Sequence, residues 1–261
     1  MQAEDYTYLY ALEEEFWWFT GMREITAALL DPICTAGQDR TVLDVGCGTG
    51  GNLAWLKRYA GDGKVLGIDL ASGALSFCRK RQAQHLAQAS ATDLPFADES
   101  FDLVTSFDVL GHLLGENSDE RAIKEMYRVL RPGGISFIRV AAYEWMRSGH
   151  DEAIATQRRH TLRHLLVKVE RAGFQVLRAT YANTLLLPLA AFRRLVLKPL
   201  RLTDPGSDVK PLSPRLQWMN RVFGSALISE ASLLKQPRAR LPFGLSAICV
   251  AQKPQTDSPA Q

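Results

Sequence analysis

Apolar positions in the middle of the chain fall into short runs that alternate with segments of helical period. Residues 41–45 form an apolar run that ends in glycines. Residues 52–60 then carry Leu53, Leu56 and Tyr59 at helical spacing. A second run, 65–68, is closed by Asp69. A helix is expected over 72–84, with Leu75 and Phe77 inward and Arg79, Lys80 and Arg81 outward. Further strands are predicted at 86–91, 101–109, 134–141, 174–181 and 245–251, and further helices at 119–130 and 161–172. Gly173 stops the last of these helices as a C-cap would. Strand and helix in regular alternation predict an α/β fold, a Rossmann-like and mostly parallel sheet with helices on both faces.

The two flanking regions follow a different pattern. Residues 1–40 are rich in aromatic side chains and read as an N-terminal helical segment. Residues 183–240, rich in Leu, Pro and Arg, interrupt the alternation and read as a helical insertion, or cap. The core is then 41–182 together with 241–253, and the polar stretch 254–261 is expected to be disordered.

Composition narrows the function classes. Among 261 residues, 46% are hydrophobic and 23% charged, the usage of an ordinary globular chain. A net charge of +3 is too small to argue for nucleic acid, whose affinity grows with the number of phosphates neutralised. The cations are unevenly spread: Arg193, Arg194, Lys198, Arg201, Lys210, Arg215 and Arg221 face only Asp204 and Asp208 within one stretch. Cys34, Cys47, Cys78 and Cys249 lack C-x-x-C spacing, so free thiols in a reducing cytoplasm are expected, with no metal site. The start of the chain has no signal-peptide pattern. The apolar stretch 185–197 is broken by Pro188 and the Arg193-Arg194 pair, too early for a span needing about 20 apolar residues.

The chemistry is concentrated at strand ends. Val42-Leu-Asp-Val-Gly-Cys-Gly-Thr-Gly-Gly51 runs a strand into a glycine-rich turn and a helix; Gly46, Gly48 and Gly51 match G-x-G-x-x-G, with Gly50 beside them. Such a turn admits a dinucleotide or a methyl donor with adenosyl and methionine parts. Asp44, two residues before Gly46, would repel a pyrophosphate but hold an ammonium group. Asp69 can accept both ribose hydroxyls, a feature of either cofactor class.

Four blocks in order, Val42-Leu-Asp-Val-Gly-Cys-Gly-Thr-Gly, Gly67-Ile-Asp-Leu, Ala91-Thr-Asp-Leu-Pro-Phe-Ala-Asp-Glu-Ser-Phe-Asp-Leu-Val and Tyr127-Arg-Val-Leu-Arg-Pro-Gly-Gly, resemble the class I S-adenosylmethionine methyltransferases of the small-molecule and quinone group. The resemblance implies a seven-stranded sheet with an antiparallel last strand and S-adenosylmethionine as cofactor. It puts Asp69 on the ribose, Asp93 beside Thr92 near the adenine amino group, Leu70 and Leu94 on the two faces of the ring, and Phe107 and Asp108 in the methyl-transfer pocket. The acids Asp98, Glu99 and Asp102 read as turn and surface residues.

The aromatic run Phe16-Trp-Trp-Phe-Thr-Gly-Met-Arg23 reads either as a core helix or as a lid, since rings near a sulfonium attract it and exclude water. Trp18 and Arg23 are the expected contacts, Arg23 toward the methionine carboxylate. His112 and His150 are candidates for a general base, and Tyr143, His150 and Asn183 for acceptor binding. His160 and His164 open a helix and read as surface or structural. The chain after residue 106 reads Phe107-Asp-Val-Leu-Gly-His rather than an Asn-Pro-Pro-Tyr type of sequence, which disfavours nucleic-acid methylation.

The expected reaction is methyl transfer to oxygen or carbon of a small-molecule, lipophilic acceptor. The alternatives are a non-catalytic binder of the same cofactor and an NAD-dependent oxidoreductase. Residues 185–201 read as a packed cap, a homodimer face, or a peripheral membrane contact in which basic and apolar residues cooperate.

Overall fold

A computed structural model describes residues 3–35, 38–197 and 217–255. Two helices, α1 (Ala3–Leu12) and α2 (Trp17–Leu30), precede the sheet. There follow β1 (Thr41–Val45), α3 (Leu53–Ala60), β2 (Lys64–Asp69), α4 (Ser72–Lys80), β3 (His85–Gln88) and β4 (Phe101–Phe107). The second half comprises α5 (Ser118–Val129), β5 (Leu130–Ala141), α6 (Gly149–Ala153), α7 (Leu162–Arg171), β6 (Gln175–Ala182), α8 (Leu187–Phe192), α9 (Gln217–Leu234) and β7 (Ser246–Gln252).

The seven strands lie in the order β3-β2-β1-β4-β5-β7-β6. β1, β2, β3, β4 and β5 pair in parallel, whereas β7 runs antiparallel to both β5 and β6. The central strands are nearly continuous apolar runs because both sheet faces are covered. On one face Ile123 and Met126 of α5 and Leu165 and Val169 of α7 pack against Leu43, Val104 and Ile138. On the other, Ile25 and Leu29 of α2, Leu56 and Tyr59 of α3, and Leu227 and Leu234 of α9 pack against Val42, Leu103 and Phe137.

Local chemistry sets several boundaries. Thr161 caps α7 by accepting from the His164 N–H, and Gly173 follows that helix at φ +100°. α4 stops earlier than its periodicity suggests, and Gln82 just beyond it takes φ +61°. β5 begins at Leu130, directly after α5, so Arg131-Pro-Gly-Gly is the irregular start of a strand rather than a separate turn. Its register against β4 shifts between Phe101 and Leu103, and Gly133 has φ +81°.

The larger difference concerns the insertion. Of the expected cap, α9 lies in the core: Leu227, Ala231 and Leu234 are spaced at i, i+4 and i+7 and are buried against α2 and the sheet. Each large apolar side chain so buried contributes about 1.5–3 kcal/mol. Trp17 ties the two helices further, donating its N–H to Asn220 Oδ1 at 2.7 Å and meeting Phe223 edge-on at 5.2 Å. Residues 198–216 of the cap and 256–261 of the tail lie outside the described residues.

Candidate active site

The parallel strands β1, β2, β4 and β5 all end at one edge of the sheet, where ligands gather in open α/β folds. The glycine loop leaves β1 there. Gly46, Gly48 and Gly50 take φ of +74°, +55° and +84°, a left-handed conformation that other residues adopt at a cost. Gly46 is doubly restricted: a Cβ on it would lie 2.4 Å from Val109 Cγ2.

Asp69, the last residue of β2, closes onto this loop. Its Oδ2 accepts from the Gly48 N–H at 2.9 Å and its Oδ1 from the Ala71 N–H at 2.9 Å. Each oxygen retains a lone pair, so the carboxylate can accept further hydrogen bonds. Next to it Leu70 is 69% exposed, a large apolar side chain left uncovered at the mouth of the loop. A loop of left-handed glycines, a strand-end carboxylate and a bare apolar side chain beside it fit an adenosyl group.

Asp44 is 2% exposed, and its Oδ1 accepts from Thr105 Oγ1 at 2.8 Å. Burial pushes its carboxyl up to about 7, against the opposing effects of the Thr105 hydrogen bond and the Arg139 charge. A cationic group arriving beside it would favour the ionised form.

The region from Ser90 to Leu94 divides. Asp93 N–H bonds Ser90 O in a tight turn, the Asp93 side chain is exposed, and Thr92 is half-buried with its hydroxyl 2.8 Å from that of Ser90. Leu94 belongs to the core, at 3% exposed, and its N–H bonds the Glu125 carboxylate at 2.8 Å. The expected pair of ring-facing leucines is therefore split, with Leu70 available and Leu94 packed away, because the Leu94 side chain meets the α5 face of the sheet.

α1 and the turn after it lie on the glycine loop. Glu13, buried, accepts from Thr49 Oγ1 and faces Arg81 at 3.4 Å; burial raises its carboxyl above the usual range. Arg23 spans the same region, donating to Glu13 O at 2.6 Å, Gly51 O at 3.1 Å and Asn52 Oδ1 at 3.2 Å. Trp18 sits one turn earlier on α2, beneath the Arg139 guanidinium at 4.8 Å.

Phe107 ends β4, two residues earlier than the expected 101–109, and Asp108 follows it. Asp108 takes φ +62°, and its Oδ2 accepts from Arg139 Nε at 2.8 Å and lies 2.7 Å from Nη2 as an ion pair. The Phe107 ring lies 5.1 Å from the same guanidinium. The sequence reading missed Arg139 and Glu13. The signal for Arg139 was a cation at the end of an otherwise apolar strand, Ile135-Ser-Phe-Ile-Arg-Val140, whereas Glu13, one of three successive glutamates, carried none.

The other candidates lie farther along the same edge. His112 ends a short 3₁₀ turn, half-buried, with Nδ1 3.4 Å from Ala155 O. Tyr143 has φ +57° and stacks on Trp145 at 5.5 Å and Tyr181 at 5.2 Å; burial raises its hydroxyl to about 12. Asn183 is buried with φ +61°, its N–H bonded to Glu230 Oε2 at 2.7 Å and its Oδ1 without a partner among the described residues. The side chain of His150 lies outside the described residues. His160 is structural: it is buried, with Nε2 3.6 Å from Asp119. Among the described residues no group of His, Cys, Asp and Glu could hold a metal ion, and all four cysteines are buried free thiols.

A glycine loop after β1, a carboxylate ending β2 and an antiparallel strand set between β5 and β6 define a Rossmann-like fold of the class I methyltransferase kind. Residues 43–138 match the family model described as methyltransferase domain. The demethylmenaquinone methyltransferase of Symbiobacterium thermophilum is 41% identical over 101 residues, covering 36% of this chain and 39% of that protein. The fatty-acid O-methyltransferase of Mycolicibacterium smegmatis is 38% identical over 100 residues, covering 37% of this chain and 35% of that protein. The chain thus spans well under half the length of these curated relatives. A solved S-adenosylmethionine-dependent methyltransferase of Thermotoga maritima shares the fold, with a TM-score of 0.54 at 18% identity, over 91% of this chain and 92% of that one.

Proposed function

We propose that the chain transfers a methyl group from S-adenosylmethionine to oxygen or carbon of a small-molecule acceptor that carries a lipophilic part. The observation that carries this reading is the closure of Asp69 on Gly48 beside the uncovered Leu70, at the end of a buried Asp44. The matched family supports the reaction class. The two relatives named for a demethylmenaquinone and a fatty acid support a lipophilic acceptor.

When bound, S-adenosylmethionine supplies a methyl carbon already activated by cationic sulfur. The residues of the chain then bind, orient and exclude water. Asp69 would take the ribose hydroxyls on its remaining lone pairs, and Leu70 would cover one face of the adenine, with Thr92 and Asp93 at its edge. Asp44 would face the ammonium group and Arg23 the carboxylate of the methionine part. Trp18 and Phe107 would wall the sulfur end, with α1 and the first turn of α2 as the lid. Alignment of this kind can supply about 7–11 kcal/mol of the barrier reduction.

For an acceptor hydroxyl, His112 is the nearest histidine to the end of β4. With Nδ1 3.4 Å from Ala155 O, a neutral imidazole that donates there would present Nε2 as the acceptor that a base requires. His150 is the second candidate base, and Tyr143 and Asn183 are proposed acceptor contacts. No nucleic-acid partner is proposed. The buried free thiols support a reducing, cytoplasmic setting.

Leu185, Leu189, Phe192 and Val196, at i, i+4, i+7 and i+11, form an exposed apolar stripe that continues into Leu195, with Arg193 and Arg194 between. This supports peripheral contact of residues 185–201 with a membrane holding the acceptor. No described helix is long and apolar enough to cross a membrane. Flotation with anionic liposomes tests the contact; sedimentation of the protein as a dimer without lipid binding would assign the stripe to a second copy instead.

The cofactor assignment is tested by titrating the purified protein with S-adenosylmethionine and with NAD, with Asp69→Ala beside the wild type. Binding of the methyl donor, weakened at least about tenfold in the variant, is expected from losing charged hydrogen bonds of ~1.5–3 kcal/mol each. Tight NAD binding without response to the methyl donor would overturn the proposal.

A further inference from the structure

Arg139 is an unusual residue for its place. It stands on β5 opposite Phe107, between Ile138 and Val140, and is 5% exposed. An aliphatic side chain would suit the surroundings better, since Phe137, two residues earlier on the same sheet face, lies wholly in the core. A buried guanidinium is retained against its desolvation cost, so the charge itself has a use.

Its hydrogen bonding is incomplete. Nε donates to Oδ2 of Asp108, Nη2 lies 2.7 Å from the same oxygen as an ion pair, and Nη1 makes no hydrogen bond among the described residues. Trp18 and Phe107 cover its faces at 4.8 and 5.1 Å, which fixes the plane of the guanidinium. Arg139 lines a small cavity of about 10 Å³, together with Arg23, Asn52, Thr26 and Trp55. That is room for one water-sized atom.

The charge around this cavity is positive. Arg139 and Arg23 both line it, and the Arg139 charge repels that of Arg23, which Glu13 and Glu14 attract. Arg23 directs its hydrogen bonds at neutral oxygens of Glu13, Gly51 and Asn52. Asp108 offsets one cation. The remaining acids point elsewhere, Asp44 to Thr105 and Glu13 to Thr49 and Arg81.

We propose that Arg139 is a specificity residue that binds an oxyanion of the acceptor, a carboxylate or phosphate oxygen entering the cavity on its Arg139 side, while Arg23 is left to the carboxylate of the methionine part. The guanidinium fork presents parallel N–H groups suited to either headgroup, and Asp108 with the two rings holds it in place. The acceptor is then an amphiphile with an acidic group. This rests on the proposed methyl transfer, because it assigns the end of β5 to the acceptor.

The test uses the full chain with S-adenosylhomocysteine as the cofactor probe, and hexanoate and inorganic phosphate as anion probes, in wild type, Arg139→Gln and Arg139→Lys. Trp fluorescence reports anion binding, since Trp18 covers the guanidinium, and far-ultraviolet circular dichroism confirms folding. Saturable binding of hexanoate or phosphate to wild type, weakened at least tenfold in Arg139→Gln and partly restored in Arg139→Lys, with S-adenosylhomocysteine still bound and weakened less than the anion, is expected. The stronger of the two anions identifies the headgroup. Should Arg139→Gln not fold, the charge-neutral double variant Asp108→Asn/Arg139→Gln serves in its place. No saturable anion binding, or equal binding in Arg139→Gln, would overturn the proposal, as would a matching loss of S-adenosylhomocysteine affinity. Failure of S-adenosylhomocysteine to bind wild type would instead overturn the methyl-transfer reading, and the anion titration is therefore also run without it.

Discussion

Asp44 on β1 and Thr105 on β4 are register partners, and their side chains form a 2.8 Å hydrogen bond in the dry interior just beneath the glycine loop. The pair holds a carboxyl group close to neutrality at physiological pH, since burial pushes it up to about 7. In the folded chain this group binds a proton over a range, from ordinary carboxylate pH to about 7, where the unfolded chain does not. Stability contributed by the protonated form is therefore complete at low pH and lost as pH rises through about 7. Urea unfolding of the free protein between pH 5 and 8 should show a decline of about 2–4 kcal/mol from this group, and Asp44→Asn should flatten it. An unchanged slope in the variant would mean that Asp44 is ionised in the free protein.

The same residue links pH to ligand. A cationic group placed against Asp44 favours the carboxylate, so S-adenosylhomocysteine, with its ammonium, should release close to one proton on binding at pH 6 and fewer at pH 8. Calorimetry in buffers of different ionisation enthalpy measures this directly, and Asp44→Asn should abolish the difference.

Glycines of the loop and of α4 should respond in opposite directions. Gly46→Ala adds a Cβ 2.4 Å from Val109 Cγ2 at φ +74° and should cost about 2–3 kcal/mol, with loss of cofactor binding. Gly73→Ala, at a helical position with nothing within 4 Å of the added atom, should gain about 0.5 kcal/mol and leave binding intact. Thermal unfolding with and without S-adenosylhomocysteine separates the two.

His160 tests the far face of the sheet. It is buried beside Asp119, with Lys168 2.5 Å and Arg158 3.3 Å from the same carboxylate, and burial lowers its imidazole to about 4, reinforced by those cations and by His164 against the pull of Asp119. Between about 6.5 and 4 the unfolded chain binds a proton that the native chain does not, so this contribution to stability is lost as pH falls. The His160 ring resonances should stay unshifted down to pH 5 in nuclear magnetic resonance titrations. A midpoint near 6.5 would contradict the buried, neutral assignment.

Much of this geometry was legible in the sequence, for a physical reason. Strand ends in an α/β sheet are marked locally, by glycines that permit a left-handed turn and by acids that interrupt apolar runs, so Asp44, Gly46, Gly48 and Asp69 could be read in place. Leu94 shows the limit: its neighbours in sequence resemble a ring-binding pair, but its side chain is claimed by the core. Contacts made between distant segments left no such mark. Glu13 reaches Thr49 across 36 positions and Trp17 reaches Asn220 across 203, and the i, i+4, i+7 spacing of Leu227, Ala231 and Leu234 marks a buried helix face without naming α2 as its partner. Arg139 became interpretable only once Trp18, Phe107 and Asp108 were seen around it.

The most direct measurement of the central claim is a crystal structure of the chain with S-adenosylhomocysteine. The account predicts the adenosine at the end of β1 and β2, both ribose hydroxyls within hydrogen-bond distance of Asp69, the adenine against Leu70, and the ammonium group on the Asp44 side of the glycine loop. A ligand bound away from this loop, or a ribose held by residues other than Asp69, would contradict it.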